Sequence, residues 1–394
     1  MINNLRKKYN SEFSEEKYNK FLKDLDSAHD LHIDFRIGES PVFLPKSFKD
    51  ELVKASEEII DYIWTDEYQK ISLNAIPKGM NVPGDPGFPH MLALDYAICK
   101  DSDGNLIPQL IELQGFPSLF YYQELLNIKF HEHFDIPENV TNFFWGLDHD
   151  SYIQLLKDVI VGDSNPENVI LLEIEPEKQK TMIDFVCTKH WLGIDYVCIT
   201  DVTKEDKNLC YNKNGKKTKI DKIYNRVIFD ELHKRTDIKR NFSFNDELNV
   251  EWIPHPNWFF RISKFTLPYL KNKYVPETKF INDFKEYPAD LENYILKPLF
   301  SFAGAGVKFD VTKEALESIE DKSNYILQKK IEYVPVIETF DIPAKAELRL
   351  LFVHRNGKPR LINNLVRLSK GKMMGVDFNK DKTWVGSSIA YFEK

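Results

Sequence analysis

Two acidic residues, Asp95 and Glu112, lie on apolar segments at equal distances from an Asp103-Gly104 dipeptide. Such a dipeptide between apolar segments predicts a two-residue hairpin turn, which would place Asp95 directly opposite Glu112 with Cβ atoms about 5 Å apart. Gln114 would share the face of Glu112. Carboxylate and amide oxygens are hard ligands that suit Mg²⁺ and its phosphate substrates. The alternative is a surface hairpin that carries two solvated acids.

A lysine at the end of an apolar segment, Lys297, precedes small residues that include Ser301, Gly304 and Gly306. Backbone N–H groups in such a loop can hold phosphate oxygens while the lysine supplies positive charge. The segment does not match the P-loop pattern, and the alternative is an ordinary strand with a tight turn. Because glycine relaxes the backbone, we expect 300–306 to act as a lid that orders over phosphates.

Two arginines, Arg349 and Arg367, lie on apolar segments joined by an Asn356-Gly357 turn. A two-residue turn there would place Arg349 opposite Asn364 and Arg367 opposite Ala346. The planar fork of arginine donates two parallel hydrogen bonds and therefore suits phosphate recognition. The alternative for each arginine is a surface salt bridge.

The composition is that of a folded globular protein, with 42% hydrophobic and 29% charged residues in 394. This length predicts two or three lobes. The net charge of −8 disfavours a nucleic-acid partner, since nucleic-acid binders are usually basic. The first residues show no signal-peptide pattern, and no apolar segment approaches the roughly 20 residues that cross a bilayer. The four cysteines have no metal-site or disulfide spacing, which is typical of thiols in a reducing cytoplasm. We therefore expect a cytoplasmic protein, and the lack of a long apolar segment predicts no membrane partner.

Hydrophobic periodicity predicts the elements that must position these residues. Helices alternate with strands from 150 to 230, which predicts a parallel α/β lobe with a Lys-rich hairpin at 203–220. Short strands with few helices follow 275 and predict a mostly antiparallel α+β lobe. The other predicted elements are helices at 1–30, 49–69, 151–161, 177–192 and 312–320, a loop at 76–90, and strands at 91–99, 106–113, 293–298, 324–331, 346–353 and 359–368.

Together these segments resemble the nucleotide-binding half of ATP-grasp enzymes. The resemblance rests on Lys264, Lys297 with its loop, the strand that ends at Ile331, and the segment from Glu347 to Arg367. The acidic pair lies far upstream, an order that resembles the circularly permuted ATP-grasp group, which includes glutathionylspermidine synthase-like proteins. Segments 252–264 and 382–388 are also similar to that group. One departure is that the group's Glu-x-Asn reads Glu112-Leu113-Gln114, and the longer Gln predicts a looser or missing second metal site.

The resemblance implies a multi-lobed ATP-grasp-like fold, α/β and α+β, with a circularly permuted order. Residues 1–149 would hold N-terminal helices and the metal-binding hairpin, 150–265 the parallel α/β lobe, and 266–394 the nucleotide-binding lobes. The implied ATP contacts are Lys264, Lys297, Ser301, Gly304, Gly306, Gln328, Lys329, Ile331, and Glu332 or Glu338 at the ribose. The implied Mg²⁺ ligands are Asp95, Glu112 and Gln114. The residues implied for the acyl-phosphate or the substrate carboxylate are Arg226, Arg349 and Arg367.

The function that the resemblance implies is an ATP- and Mg²⁺-dependent carboxylate–amine ligase that forms an acyl-phosphate. Its substrates would be a small-molecule or peptide carboxylate and an amine, whose identities the sequence leaves open, as it does the oligomeric state. Two other readings stay open. One is a nucleotide-binding protein without turnover, and the other is an interaction protein that keeps only the fold.

Overall fold

The computed structural model describes every residue except 302, 303, 373 and 375. Its α-helices are α1 (Asn3–Glu12), α2 (Glu15–Ser27), α3 (Lys46–Ile63), α4 (Asp66–Ser72), α5 (Phe120–His133), α6 (His149–Ile160), α7 (Met182–Leu192), α8 (Phe229–Lys234), α9 (Trp258–Arg261) and α10 (Lys313–Glu317). Its strands are β1 (Val42–Leu44), β2 (Met91–Lys100), β3 (Leu106–Gln114), β4 (Val140–Thr141), β5 (Val169–Glu173), β6 (Asp195–Cys198), β7 (Thr203–Glu205), β8 (Asn208–Lys213), β9 (Lys216–Ile220), β10 (Lys222–Asn225), β11 (Glu251–Ile253), β12 (Thr278–Phe280), β13 (Tyr294–Pro298), β14 (Tyr325–Lys329), β15 (Lys345–Arg355), β16 (Lys358–Ser369), β17 (Gly386–Ser388) and β18 (Ala390–Glu393).

An antiparallel sheet, formed by described residues in the order β17-β16-β15-β2-β3, joins strands from opposite ends of the chain. Alternate side chains of β2 and β15 enter a hydrophobic core, among them Leu94, Tyr96, Leu348 and Leu350. Positions 95, 347 and 349 therefore project from the opposite face. This pairing brings residues that are about 250 positions apart in sequence onto one face, as the separation of 254 between Asp95 and Arg349 shows.

The first hairpin confirms the predicted pairing of Asp95 with Glu112. Its turn is longer than predicted, because Lys100 pairs with Leu106 and the Asp101 carboxylate accepts backbone N–H groups of Asp103 and Asn105. A β-bulge then restores the alignment, since Tyr96 pairs with Leu110 and leaves Ile111 without a partner on β2. The predicted two-residue turn is therefore wrong, although the pairing that it implied is right.

The second hairpin has the predicted Asn356-Gly357 turn, with φ of 53° and 79° at its two central residues. A bulge between Leu351 and Phe352 shifts the register beyond it by one residue. The predicted partners are therefore wrong, because Arg349 lies opposite Leu365 and Arg367 lies opposite Glu347. The bulge matters for the site, since it sets a carboxylate face to face with an arginine.

The predicted parallel lobe is confirmed, with described strands in the order β11-β10-β5-β6 and parallel pairing throughout. Strand β5 is buried along its whole length, as expected for a parallel sheet covered on both faces. Its last residue is Glu173, and Arg226 directly follows β10. Both residues therefore lie at the carboxyl edge of the sheet, where ligands bind in open α/β sheets. The Lys-rich segment folds as the antiparallel sheet β7-β8-β9.

A small antiparallel sheet in the order β12-β14-β13 carries Lys297 and Gln328 on neighbouring strands. It packs on its own core of Ile281, Leu296, Leu316 and Leu327. The predicted helix at 312–320 is shorter in the structure, where α10 begins after the N-cap Thr312 and ends at Glu317.

The N-terminal region is helical as predicted, and it packs against a short sheet in the order β1-β18-β4. The helical segment predicted at 49–69 is interrupted at Thr65, whose side chain caps α4 by accepting the Tyr68 N–H. Within the residues that the structure describes, no helix is both long enough and apolar enough to cross a membrane.

Candidate functional site

The central cavity lies where β3, the carboxyl edge of the parallel sheet, the segment after α9 and the segment after β13 meet. Its volume is about 570 Å³. Six cationic residues but only two acidic ones line it within the described part of the chain. They are Lys178, Lys180, Arg226, Lys264, Arg349 and Arg367, with Glu112 and Glu173. A chain with a net charge of −8 thus forms a cationic cavity, which favours anionic ligands.

Two arginines hold the wholly buried carboxylate of Asp95. Arg349 donates from Nε to Oδ1 at 2.7 Å and from Nη2 to Oδ2 at 2.6 Å, and Arg367 donates from Nη2 to Oδ2 at 3.0 Å. Arg367 also forms an ion pair with its cross-strand partner Glu347. Burial raises the pKa of Glu347, although Arg367 opposes this shift. The result is a buried network of two guanidinium and two carboxyl groups beside the cavity.

Glu112 faces the central cavity and is surrounded by cations. Its Oε2 lies 3.3 Å from Lys264 Nζ, and its Oε1 lies 3.8 Å from Arg349 Nη2. Burial alone would raise the pKa of Glu112, but Lys264 and Arg349 hold that pKa well below its usual range. Gln114 donates from Nε2 to Glu112 Oε1 at 2.8 Å. The Glu112 carboxylate is therefore ionised at neutral pH.

Lys297 lies beside this cluster, with Nζ donating to Gln328 Oε1 at 2.5 Å and to the Ile111 carbonyl oxygen at 3.1 Å. That carbonyl belongs to the bulged residue of β3, so the bulge supplies a contact between the two sheets. Burial lowers the pKa of Lys297 to about 8, although Glu112 opposes this shift. An additional anion nearby would stabilise its charged form.

The predicted site residues divide into two groups. Those that line the central cavity are Glu112, Gln114, Arg226, Lys264, Ser301, Gly304, Arg349 and Arg367. Those that do not line it are Asp95, Lys297, Gly306, Gln328, Lys329, Ile331, Glu332 and Glu338. Asp95 contacts Arg349 and Arg367 of the cavity wall, and Lys297 contacts Ile111, the neighbour of Glu112 on β3. Glu338 lies by α1, where its carbonyl oxygen accepts from Asn10 Nδ2 at 3.2 Å.

Another cavity, of about 360 Å³, lies at the end of β14 and is called here the strand-end cavity. Ile331 and Glu332 line it together with Lys100 and Gln109 from the first hairpin. Gln328 does not reach it, because its side chain accepts from Lys297 and donates to Thr278 Oγ1 at 3.1 Å. Strand β3 borders both cavities and therefore links them.

The expected lid is described only in part, because residues 302 and 303 lie outside the described residues. Ser301 and Gly304 line the central cavity, and the Ser301 carbonyl oxygen accepts from Lys264 Nζ at 2.8 Å. Gly304 and Gly306 have φ of 75° and 73°, a region that favours glycine. The mobility expected of 300–306 stays a prediction.

The carboxyl edge of the parallel sheet contributes residues that the sequence analysis missed. Glu173 is buried, accepts the Ile174 N–H at 2.8 Å, and has a pKa that burial raises to about 8. Gln179 also lines the cavity. Arg226 donates from Nη1 to the Pro117 carbonyl oxygen at 2.5 Å, and among the described residues its buried Nε has no hydrogen-bond partner. The signal that could have indicated this edge is an acid, Glu173, at the end of the apolar strand segment 169–172.

The predicted Mg²⁺ ligands fit a metal only in part. Glu112 and Gln114 line the cavity, but both oxygens of Asp95 accept hydrogen bonds from arginines. No group of three or more His, Cys, Asp and Glu side chains that could hold a metal ion occurs among the residues described. Of the predicted set only Glu112 and Gln114 line the cavity, and a Mg²⁺ ion on Glu112 would replace its contacts with Lys264 and the Gln114 amide group.

Gly115 fixes the end of β3 against α9, and it allows a direct test of that packing. We expect Gly115→Ala to lower the free energy of unfolding by about 1–3 kcal/mol, because a Cβ atom there would overlap the Trp258 carbonyl oxygen. The Gly115 N–H also donates to the Ile262 carbonyl oxygen at 2.8 Å. Urea denaturation measures the change.

The control for this variant is Gly104→Ala, since a Cβ at Gly104 meets no atom within 4 Å although its φ is +82°. Backbone strain alone should cost this control about 1 kcal/mol. A Gly115→Ala protein as stable as Gly104→Ala would show that α9 yields to the added methyl group.

Comparisons with known proteins identify a shared fold. A glutathione synthetase-like effector from Globodera pallida, solved in its apo form, has a TM-score of 0.57 and 12% sequence identity, with 96% of each chain covered. No family model matches the sequence, and a search of curated proteins found no relative. At this identity the likeness extends to the fold alone, so the ATP-grasp assignment and its permuted order stay predictions.

Proposed function

We propose that this protein is an ATP-dependent ligase that joins a carboxylate to an amine through an acyl-phosphate. The observation that carries the proposal is the cationic central cavity, in which Lys264, Glu112 and Arg349 lie together at the junction of two sheets. The overall likeness to a glutathione synthetase-like protein supports a ligase fold. Positive charge in a partly enclosed cavity is what phosphoryl transfer needs, since it depends on positioning and charge stabilisation.

The nucleotide would lie along β3. Its phosphates would occupy the central cavity near Lys264, Ser301 and Gly304, and its base would occupy the strand-end cavity near Ile331. Lys297 lies between the two sheets, where a phosphate would stabilise an ammonium group that burial now disfavours. Glu332, which lines the strand-end cavity, is better placed for the ribose than Glu338.

Mg²⁺ would be held by Glu112 and Gln114 together with the nucleotide, and when bound it neutralises charge on the phosphate oxygens. Glu112 is suited to this role because its pKa is held low and its carboxylate is therefore ionised. Gln114 would bind Mg²⁺ through its amide oxygen, since its Nε2 already donates to Glu112.

The substrate carboxylate would bind at the carboxyl edge of the parallel sheet. Arg226 points there from β10, and its unpartnered Nε is suited to a carboxylate oxygen. Glu173 and Gln179 lie on the same wall and would receive an amino group of the substrate. Arg226 and Glu173 on one wall would bind the carboxylate and the amino group of one substrate, which fits an amino acid or a peptide.

In this scheme the substrate carboxylate attacks the γ-phosphorus of ATP, the bond to ADP breaks, and an acyl-phosphate forms. Arg349 and Arg367 would stabilise the negative charge that develops on the transferred phosphoryl group. The amine then attacks the acyl carbon, phosphate leaves with the bonding electrons, and the amine loses a proton. The chain supplies charge and orientation at each step, and no side chain forms a covalent intermediate.

A nucleotide-binding protein without turnover is the second candidate. It is favoured by Asp95, whose two oxygens are bound by arginines, and by Gln114 in place of the usual Asn. Both candidates predict nucleotide binding, and only the ligase predicts substrate-dependent hydrolysis.

The test of the proposal measures binding and turnover separately. We expect Mg·ATP to raise the Tm, since saturating ligand at about 100 times Kd adds about 2.7 kcal/mol to stability. We also expect phosphate release that depends on a carboxylate substrate, and hydroxamate formation when hydroxylamine traps the acyl-phosphate. Screening amino acids and peptides as substrates would identify the carboxylate.

Arg226→Gln serves as the matched control, because it should abolish hydroxamate formation while leaving the Mg·ATP shift in Tm intact. A shift in Tm without release of phosphate for any substrate would favour the second candidate. Absence of any shift would contradict both candidates.

A further inference from the structure

Asp95 lies in the middle of a row of charged residues that crosses three strands. It pairs with Glu112 on β3 and with Arg349 on β15. It is wholly buried, and the central cavity has Arg349, Arg367 and Glu112 in its wall but not Asp95. The arginines therefore lie between the Asp95 carboxylate and the cavity.

Both oxygens of Asp95 are already used. Oδ1 accepts from Arg349 at 2.7 Å, and Oδ2 accepts from Arg349 at 2.6 Å and from Arg367 at 3.0 Å. Each bond is charge-assisted, and the Arg349 pair is bidentate, which is the strongest geometry available to these groups. A Mg²⁺ ion on Asp95 would have to displace these bonds and then lie beside two guanidinium groups.

We propose that Asp95 is a positioning residue that fixes Arg349 and Arg367 as a preformed anion-binding pair, and that it does not ligate Mg²⁺. The inference rests on the proposed function and reassigns one residue of its site. Arg349 uses its Nε–Nη2 edge for Asp95, and Arg367 Nη2 contacts both Asp95 and Glu347. Both arginines still line the cavity.

The ligand of this pair is an anion with several oxygens, in the proposed reaction the transferred phosphoryl group. Arginines held before the ligand arrives need little reorganisation, which is the condition under which charged groups stabilise a transition state best. Glu112 then remains the carboxylate of the predicted set that lines the cavity.

The experiment compares Asp95→Asn with Glu112→Gln, since each replaces one carboxylate with an amide of nearly equal size. Metal binding is measured by Mn²⁺ electron paramagnetic resonance in the presence of a non-hydrolysable ATP analogue. Anion binding is measured by calorimetry with inorganic pyrophosphate and no metal. We expect Asp95→Asn to weaken pyrophosphate binding about tenfold or more, as for loss of a charged hydrogen bond, and to change Mn²⁺ affinity by less than about threefold.

Glu112→Gln should show the reverse pattern, with Mn²⁺ affinity reduced and pyrophosphate affinity retained or increased. A loss of Mn²⁺ affinity in Asp95→Asn as large as that in Glu112→Gln would overturn the proposal, and so would a wild-type protein that binds no pyrophosphate. If pyrophosphate binding depends on Asp95 but the protein binds no ATP analogue, the proposed function would be contradicted and the anion site of Arg349 and Arg367 would still be supported.

A measurement on the wild-type protein covers the case in which Asp95→Asn does not fold. The ¹⁵N–¹H signal of Arg349 Nε, identified by its absence in Arg349→Lys, reports the hydrogen bond to Asp95. We expect this signal to persist when Mg²⁺ and the ATP analogue are added. Its loss on Mg²⁺ binding would show that the metal takes the carboxylate, and the proposal would be wrong.

Discussion

Lys297→Met is expected to lower ligase turnover by about a thousandfold and to weaken ATP binding. Lys297 is buried between the two sheets, where its ammonium group is held by Gln328 and the Ile111 carbonyl oxygen. Methionine keeps most of the side-chain length and removes the charge, so the variant removes the group proposed to contact a phosphate and changes little volume. Rates of phosphate release and the Kd of an ATP analogue measure the two effects.

The stability of this variant has its own pH dependence, which separates lost chemistry from lost structure. Burial lowers the pKa of Lys297 to about 8 in the folded protein, against about 10.4 in an unfolded chain. The unfolded chain therefore binds more protons between these values, and stability rises with pH across that window. Relative to Lys297→Met, the wild-type protein should gain stability as the pH rises from 8 to 10.

The control for charge is Lys313→Met, since Lys313 is exposed on α10 near the same small sheet. This variant should keep both turnover and nucleotide affinity. Normal activity of Lys297→Met would contradict the proposed position of the nucleotide near Lys297. It would also contradict the proposal that the central cavity binds its phosphates.

The sequence predicted the hairpin pairing of Asp95 with Glu112 because turn residues and apolar alternation both point to it. It could not predict the bulges at Ile111 and near Leu351, because a bulge leaves no clear mark on an alternating pattern. Their effects differ. The first bulge compensated for a longer turn, whereas the second moved Arg367 from the predicted Ala346 to Glu347.

Glu347 and Glu173 are the two acids at the site to which the sequence analysis gave no role. Glu347 was part of a recognised segment, but its contact with Arg367 depends on the bulge. Glu173 ends a strand of an otherwise unremarkable apolar pattern, and only the parallel sheet brings it to the cavity. The family resemblance implied either Glu332 or Glu338 for the ribose, but the chain after β14 places Glu338 beside α1.

Glu173→Gln is expected to lower kcat/KM for the substrate that carries an amino group by about a hundredfold at pH 8.5. Burial raises the pKa of Glu173 to about 8, so the wild-type carboxyl group is mainly protonated at pH 7 and mainly ionised above pH 8. Only the ionised form can hold a substrate ammonium group or take a proton from the attacking amine. The wild-type profile of kcat/KM should therefore rise with pH through about 8, and this limb should be absent in Glu173→Gln.

A loss of folded protein would not explain that result, because Glu173→Gln is not expected to lower the stability of the protein at high pH. The folded pKa of Glu173, about 8, lies above the roughly 4.3 of an unfolded chain, so the folded protein holds the proton more tightly and loses stability as the pH rises through this window. A neutral glutamine avoids that loss, and Glu173→Gln should be at least as stable as the wild-type protein at pH 9. Thermal denaturation at pH 6 and pH 9 measures this difference. A variant that keeps the pH limb would assign the limb to the substrate amine, and Glu173 would then have no part in the reaction.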